Sequence, residues 1–279
     1  MRCGRTPTLV QRPEWHSCGA VDTQIESIYA LSRPPSLARP VVRRRISYAH
    51  PRDNRLLASL PTSSYEALLP YLELVNMVGG TPIHACRNSR QNVYFPTDCI
   101  VSVLQLIRDG RSIEVAVIGR EGLVGASALM GGYDSFSHAI VQAKGTAYRL
   151  HTDILRKSFH RCEATQAIVL RYTQSLYVQT AQTAVCNRHH SVLQQFIRRL
   201  LLGIDRSPSM TLVMTHESMA AKLGVRRESI TEAAGKLHSL GLINYRRGRI
   251  TVVDRDRLEA LCCECYEVER RESARLMPS

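Results

Sequence analysis

Nowhere in the 279 residues is there a run of about 18 or more apolar residues, so no membrane-spanning helix is expected. The first residues lack an apolar core behind their basic positions, and export is not expected either. The sequence has no glycine-rich phosphate loop, no nucleophile–base pairing and no metal-ligand spacing. An enzyme, a cofactor and a metal site are therefore not expected. Glycine and proline are both missing between Gly145 and Gly203, which leaves that stretch free to run as helix. Acidic residues are scarce. There are 24 Asp and Glu against 37 Lys and Arg, giving a net charge of +13 and a pI near 9.6. The excess is uneven. Residues 1–55 hold ten basic residues against four acids, and residues 188–279 hold sixteen against eleven. Such a balance favours a polyanionic partner, because Lys and Arg release the counterions condensed on phosphates.

Cysteine is present in an odd number, nine, in a chain that is not small. Reduced thiols in a cytoplasmic protein fit this better than a disulfide framework. Cys262, Cys263 and Cys265 lie close together on an expected helix after Leu258. Neighbouring helix positions point to different faces, so these three alone are a poor metal site. His189 and His190 show no ligand spacing.

The chain divides into four parts. Residues 1–52 hold Pro7, Pro13, Pro34, Pro35, Pro40, Pro51 and the run Arg43–Arg45, with little apolar periodicity, and read as a basic, mostly disordered arm. A mis-assigned start codon is the rival explanation of that segment. Residues 53–151 open with short helices over Asp53–Leu74. Short apolar runs then follow at Asn92–Phe95, Ile100–Ile107, Ile113–Ile118, His138–Val141 and Thr146–Leu150, separated by turn signals such as Asp109-Gly110. That pattern suggests a small antiparallel barrel or roll. Residues 152–187 read as one long helix with an apolar stripe through Ala164, Ile168, Tyr172, Leu176, Val178, Ala181 and Val185. Such a stripe needs a partner, either a second copy of the chain or the roll itself. A helix over Ser191–Ile204 then leads into the last segment, within residues 188–279.

The most specific stretch is Thr215–Val253. Thr215 suits the N-cap of a helix over His216–Leu223, with Met219, Ala220 and Leu223 facing inward. Gly224 suits a left-handed turn residue, and Val225 a plug between two helices. A second helix over Arg226–Leu240 would bury Ile230, Ala233, Ala234, Leu237 and Leu240. Its opposite face presents Arg226, Arg227, Ser229, Thr231 and Glu232, side chains that suit a groove. Arg can bond a guanine edge with two hydrogen bonds, Glu can accept from cytosine, and Ser or Thr can bond phosphate or base. Two short strands, Leu242–Tyr245 and Arg249–Val253, flank Arg246-Arg247-Gly248. Arg246, Arg247 and Arg249 would arm a wing against the DNA backbone. An ordinary helical hairpin with solvated charges would not need that turn spacing, wing and basic tip together.

This region resembles the DNA-binding domain of the Crp/Fnr family of bacterial regulators. The residues that carry the likeness are Thr215-His216-Glu217, Gly224-Val225, Arg227-Glu228-Ser229-Ile230, Leu240–Ile243 and the wing Arg246–Val253. The likeness extends loosely over residues 55–265. It implies an α+β fold: an N-terminal antiparallel β-roll of the cyclic-nucleotide-binding kind, a long dimerisation helix and a C-terminal winged helix-turn-helix. It also implies a homodimer on a near-palindromic operator in double-stranded DNA, recruiting or blocking RNA polymerase. By the family pattern Arg227 and Glu228 read bases, while Glu232 departs from a position where some members are basic. Arg226 stands where an N-capping Ser or Thr is common. The matching effector loop is Gly119-Arg120-Glu121-Gly122-Leu123-Val124-Gly125, with Ser137-His138-Ala139 at the later position. The expected effector pocket is therefore Gly119, Glu121, Gly122, Gly125 and His138. The arginine that would grip a cyclic phosphate is missing, so a cyclic nucleotide is not expected and the effector is unassigned. Cys3 and Cys18 alone cannot hold an iron–sulfur cluster. The alternative is a ligand- or redox-sensing module acting mainly through protein contacts.

Overall fold

A computed structural model of the chain describes residues 49–83, 91–131, 137–207 and 209–276. The expected N-terminal arm lies outside the described residues except for 49–52, and so do Cys3, Cys18 and Cys86.

The first domain begins with two short helices, α1 (Arg55–Ala58) and α2 (Thr62–Leu68). Among the described residues six strands follow: β1 (Glu73–Met77), β2 (Asn92–Pro96), β3 (Ile100–Leu106), β4 (Ser112–Ile118), β5 (Ser137–Ala143) and β6 (Gly145–His151). They form two antiparallel three-stranded sheets, ordered β1-β6-β2 and β4-β3-β5. Five of the strands lie where alternation and turn residues place them. The Asp109-Gly110 hairpin forms, with Gly110 at φ 86 and the Ile107 N–H bonded to the Arg111 carbonyl at 3.0 Å. β1 is a correction. Glu73–Met77 pairs with β6 along its whole length, where the sequence pattern had suggested helix up to Leu74. Leu74 and Val75 are ambiguous locally, and the free edge of β6 decides them.

A second correction concerns the long helix. The chain forms α3 (Thr152–Arg161), breaks at Cys162 and restarts as α4 (Glu163–His189). Cys162 is extended, at φ −131 and ψ 109. The break lets α3 bury Leu155 and Phe159 under the roll while α4 buries Ile168, Val169 and Tyr172 in the same core. One straight helix could not turn both sets inward. The stripe divides accordingly. Ile168 and Tyr172 are buried, whereas Ala164, Ala181 and Val185 are exposed. A second apolar line, with Leu170 and Tyr177 exposed and Val185 beyond them, faces away from the core.

The second domain contains α5 (Val192–Asp205), β7 (Thr211–Val213), α6 (His216–Leu223), α7 (Arg227–Ser239), β8 (Ile243–Arg246), β9 (Arg249–Val252), α8 (Arg255–Ala260) and α9 (Glu264–Leu276). α5 starts with a capping box between Ser191 and Gln194 and buries almost its whole length. β7 adds a third strand to the wing, in the order β7-β9-β8. The largest core joins Phe196, Leu200 and Leu201 of α5 to α6, α7 and the wing, and takes in Ile100 and Val117 of the roll. The two domains thus share apolar packing. Among the described residues no helix is long and apolar enough to cross a membrane.

Candidate nucleic-acid interface

Each element of the helix-turn-helix is fixed by a local device. The Thr215 Oγ1 accepts from the Ser218 N–H at 3.0 Å, and Ser218 Oγ accepts from the Thr215 N–H at 3.2 Å. This box starts α6. Gly224 ends it at φ 67, in the left-handed region that a side chain disfavours. The Val225 N–H then reaches back to the Ala220 carbonyl at 3.0 Å and closes the turn. Arg226 is extended and makes no side-chain cap, so α7 starts at Arg227. The uncapped N–H groups at that helix start favour anions.

Ile230, Ala233, Ala234 and Leu237 are buried, as their spacing requires. Leu240 is not; it is 42% exposed. The helix ends at Ser239, Gly241 takes φ 73, and the Leu242 N–H closes onto the Leu237 carbonyl. Leu242 fills the core place that helical periodicity assigned to Leu240.

The turned-out face carries Arg226, Arg227, Glu228, Thr231 and Glu232, all exposed, with Ser229 half-buried. Arg227 stands 3.8 Å from Glu217 in an open ion pair. The wing adds Arg246, Arg247 and Arg249, also exposed. Arg246 pairs with Arg249, and the two residues between them are left-handed, Arg247 at φ 49 and Gly248 at φ 70. Two positive φ values define the tight turn that matches the twist of a hairpin. The Gly248 carbonyl accepts from the Met214 N–H, which ties the wing to the start of α6. The start of α7, the wing and the β3–β4 hairpin of the roll line one open cleft, through Arg226, Arg227, Arg247, Asp109, Arg111 and Ile113.

Two predicted contact residues have internal partners. Thr215 is the cap just described. The Thr231 hydroxyl donates to the Arg227 carbonyl at 3.1 Å and shares a hydrogen bond with His216 Nδ1 at 3.1 Å. His216 carries part of the family likeness but had no role assigned from the sequence. Its ring stacks on Tyr245 at 4.2 Å and so connects α6, α7 and the wing. Burial lowers its pKa, helped by the Arg227 charge, and both favour the neutral ring. Its signal was its place directly after the N-cap, but the stacking partner lies 29 residues on, at a position only the fold supplies.

The roll loop is arranged differently. Gly119, Glu121, Gly122 and Gly125 lie together after β4, whereas His138 lies on β5 opposite Leu104, on the other side of β3. The loop holds protein side chains. Glu121 Oε1 accepts from the Gly119 N–H at 3.0 Å and from Arg206 Nε at 2.8 Å. A Cβ on Gly122 would meet the Tyr172 ring at 2.5 Å, and one on Gly119 would meet Arg206 at 2.8 Å. The Tyr172 hydroxyl donates to the Leu123 carbonyl, and the fully buried Asn54 donates to the Gly122 carbonyl. Arg120 is exposed and points no charge into this packing.

Buried ion pairs join the domains. Glu114 of β4 meets Arg199 of α5 and, at 3.0 Å, Lys222 of α6. Lys222 Nζ also donates to Ser102 at 2.6 Å. Burial alone would raise the Glu114 carboxyl, but the charges of Arg199 and Lys222 outweigh it and hold it at about 2. Lys222 is brought down to about 8, chiefly by its own desolvation. A second set links Glu121 to Arg206, Arg206 to Glu269 of α9 at 3.3 Å, and Glu269 to Arg198 at 2.7 Å. Gln179 of α4 donates to Glu269 and accepts from the Val117 N–H at 2.7 Å.

Residues 194–261 match the family model of the Crp-like helix-turn-helix domain. The C-terminal domain of the chain is thus a Crp-like helix-turn-helix domain. The global nitrogen regulator of Synechococcus elongatus is 22% identical over 190 residues, covering 65% of this chain and 86% of that protein. A Crp/Fnr-family transcriptional regulator from Eubacterium rectale has the same fold, with a TM-score of 0.58 at 18% identity over 78% of this chain and 99% of that one. FixK2 from Bradyrhizobium japonicum gives 0.56 at 16% identity, over 69% and 98%. The fold is thus that of Crp/Fnr-family structures, with a roll of the cyclic-nucleotide-binding type, and the chain is a DNA-binding transcriptional regulator.

Proposed function

We propose that this chain is a Crp/Fnr regulator acting in the cytoplasm as a homodimer on a near-palindromic operator, without a cyclic nucleotide. The observation that carries the reading is the pairing of an exposed polar helix face with an exposed arginine wing on one side of a buried helix-turn-helix core. Arg227 reads a guanine edge, and Glu228 accepts from cytosine or orients Arg227. Arg226, Arg246, Arg247 and Arg249 bind phosphate, and Ser229 and Glu232 tune the contact. Thr215 and Thr231 act by holding the two helices rather than by touching DNA, because their hydroxyls already have partners.

Dimerisation is supported by α4. Its inner face is used by the roll, yet Leu170 and Tyr177 are 50% and 69% exposed along the outer face. A second copy of the helix would cover them. Nucleotide independence is supported by the roll loop, where Tyr172 and Arg206 take the space beside the glycines. In this reading Glu121 serves as a link to the DNA-binding domain through Arg206 and Glu269. RNA polymerase is the expected partner on DNA, and no enzymatic step belongs to the reading.

Selection of genomic fragments by the purified protein at physiological ionic strength, with and without cAMP, tests it. A palindrome enriched without nucleotide is expected. Enrichment only with cAMP would overturn the reading of the roll, and no enrichment in either arm would favour a sensor acting through protein contacts.

A further inference from the structure

Four potential metal ligands meet where the C-terminal end of α4 touches the start of α9. Cys186 is one turn before His190, which ends α4. Cys263 and Cys265 flank the first residue of α9. The ligand atoms of all four lie within 4.8 Å of one another, with the three cysteines buried and the histidine half-buried. Cys186 Sγ is 3.7 Å from Cys263 Sγ, and Cys265 Sγ is 3.6 Å from His190 Nδ1.

These separations fit one kind of occupant. Tetrahedral zinc with Zn–S near 2.3 Å and Zn–N near 2.0–2.1 Å places neighbouring ligand atoms roughly 3.5–3.8 Å apart. A disulfide would need about 2.05 Å. An iron–sulfur cluster would hold its ligands much farther apart than this group allows. The second shell also fits. His190 Nε2 is 3.3 Å from a Glu264 carboxylate oxygen, which fixes the proton on Nε2 and leaves the Nδ1 lone pair facing the sulfurs. Arg198 lines the same small cavity as Cys186 and supplies a positive charge near a centre that three thiolates and one dication leave at minus one. The start of α9 adds its N-terminal dipole to the thiolates of Cys263 and Cys265.

We propose that Cys186, His190, Cys263 and Cys265 form a mononuclear zinc site that staples the C-terminal helix α9 to α4. Three of the four ligands are thiolates. With no position left for water, the site is structural. It fixes α9, whose Glu269 connects to the roll loop through Arg206. Cys262 stands beside the site and is not a ligand.

The test uses the full chain, purified under reducing conditions and analysed for metal, then stripped and reloaded with Zn2+ or Co2+. One zinc per chain is expected, and the cobalt form should show tetrahedral ligand-field bands with thiolate charge transfer. Cys186→Ser and Cys263→Ser should each abolish stoichiometric binding, while Cys99→Ser and Cys162→Ser leave it intact. Glu264→Gln should keep the site and weaken it by about 10–100-fold. His190→Cys should bind with a four-thiolate spectrum, so the site can be judged even if a serine variant fails to fold. A chain that takes up neither metal would overturn the proposal. So would metal retained in Cys186→Ser, which would place it at other residues such as Cys3, Cys18 or Cys86, or a Cys186–Cys263 disulfide in the protein as isolated.

Discussion

Arginines occupy two opposite settings within about 50 residues of this chain. Arg198 and Arg199 of α5 are buried and Arg206 just after it is half-buried, and they pair with Glu269, Glu114 and Glu121. Arg226, Arg227, Arg246, Arg247 and Arg249 are exposed; of these, Arg227 stands opposite Glu217 in an open pair. The side chain is the same, and the surroundings decide its role. A buried guanidinium holds domains together, because breaking its pair leaves a charge in a low dielectric. An exposed one keeps its charge available to phosphates and base edges.

Removing the carboxylate from the buried set should have the largest effect. Glu114→Ala leaves Arg199 and Lys222 facing each other without a counter-charge, and should destabilise the fold by about 3–5 kcal/mol in urea unfolding. The same pair predicts the acid response. The Glu114 carboxyl lies at about 2 in the fold against an ordinary 4.5, so its contribution is complete above 4.5 and fades as pH falls toward 2. Unfolding midpoints of the wild type should drop through that window, and Glu114→Gln should flatten the drop. If Glu114→Gln titrates like the wild type, the clamp is not the source.

Overfilling the roll loop is the next test. Gly122→Ala puts a methyl into the Tyr172 ring and should cost about 1–3 kcal/mol, read as a lowered Tm. Gly224→Ala should cost a comparable 1–2 kcal/mol for a different reason, left-handed strain rather than space.

Effects on the exposed set should appear in binding and not in stability. Arg227→Ala should weaken the specific site by about 1–3 kcal/mol with an unchanged Tm. Arg247→Asn keeps a residue that tolerates positive φ, so the wing turn should survive. Binding to all sequences should then weaken, with the slope of log affinity against log salt reduced by about one. If Arg247→Asn lowered Tm as much as Glu114→Ala, the division into two sets would fail.

Much of the interface was legible because its signals are local. Thr215, Gly224, Gly248 and the buried spacing Ile230-Ala233-Ala234-Leu237 each act within a turn or two of chain. α6 forms over His216–Leu223, the span its cap and turn residue indicate. Misses came where a distant partner decided. Strand β1 depends on the edge of β6, the break at Cys162 on two cores competing for one helix, and Leu240 on Leu242 taking its place. The effector loop was read from its glycines, but Tyr172 lies 50 residues beyond Gly122 and Arg206 lies 87 residues beyond Gly119. The cysteines near 262–265 looked idle because Cys186, 77 residues before Cys263, is absent from any local window.

The sequence by itself determined the winged helix-turn-helix, five of the six described strands of the roll and the exposed basic face, because caps, left-handed glycines and alternation act over a few residues. Only the tertiary structure decided which arginines are held in inner ion pairs and which stay exposed, what fills the roll loop, and which four side chains meet at the end of α4. Those outcomes depend on burial and on charges brought together from far apart in the chain, and neither is written in local spacing.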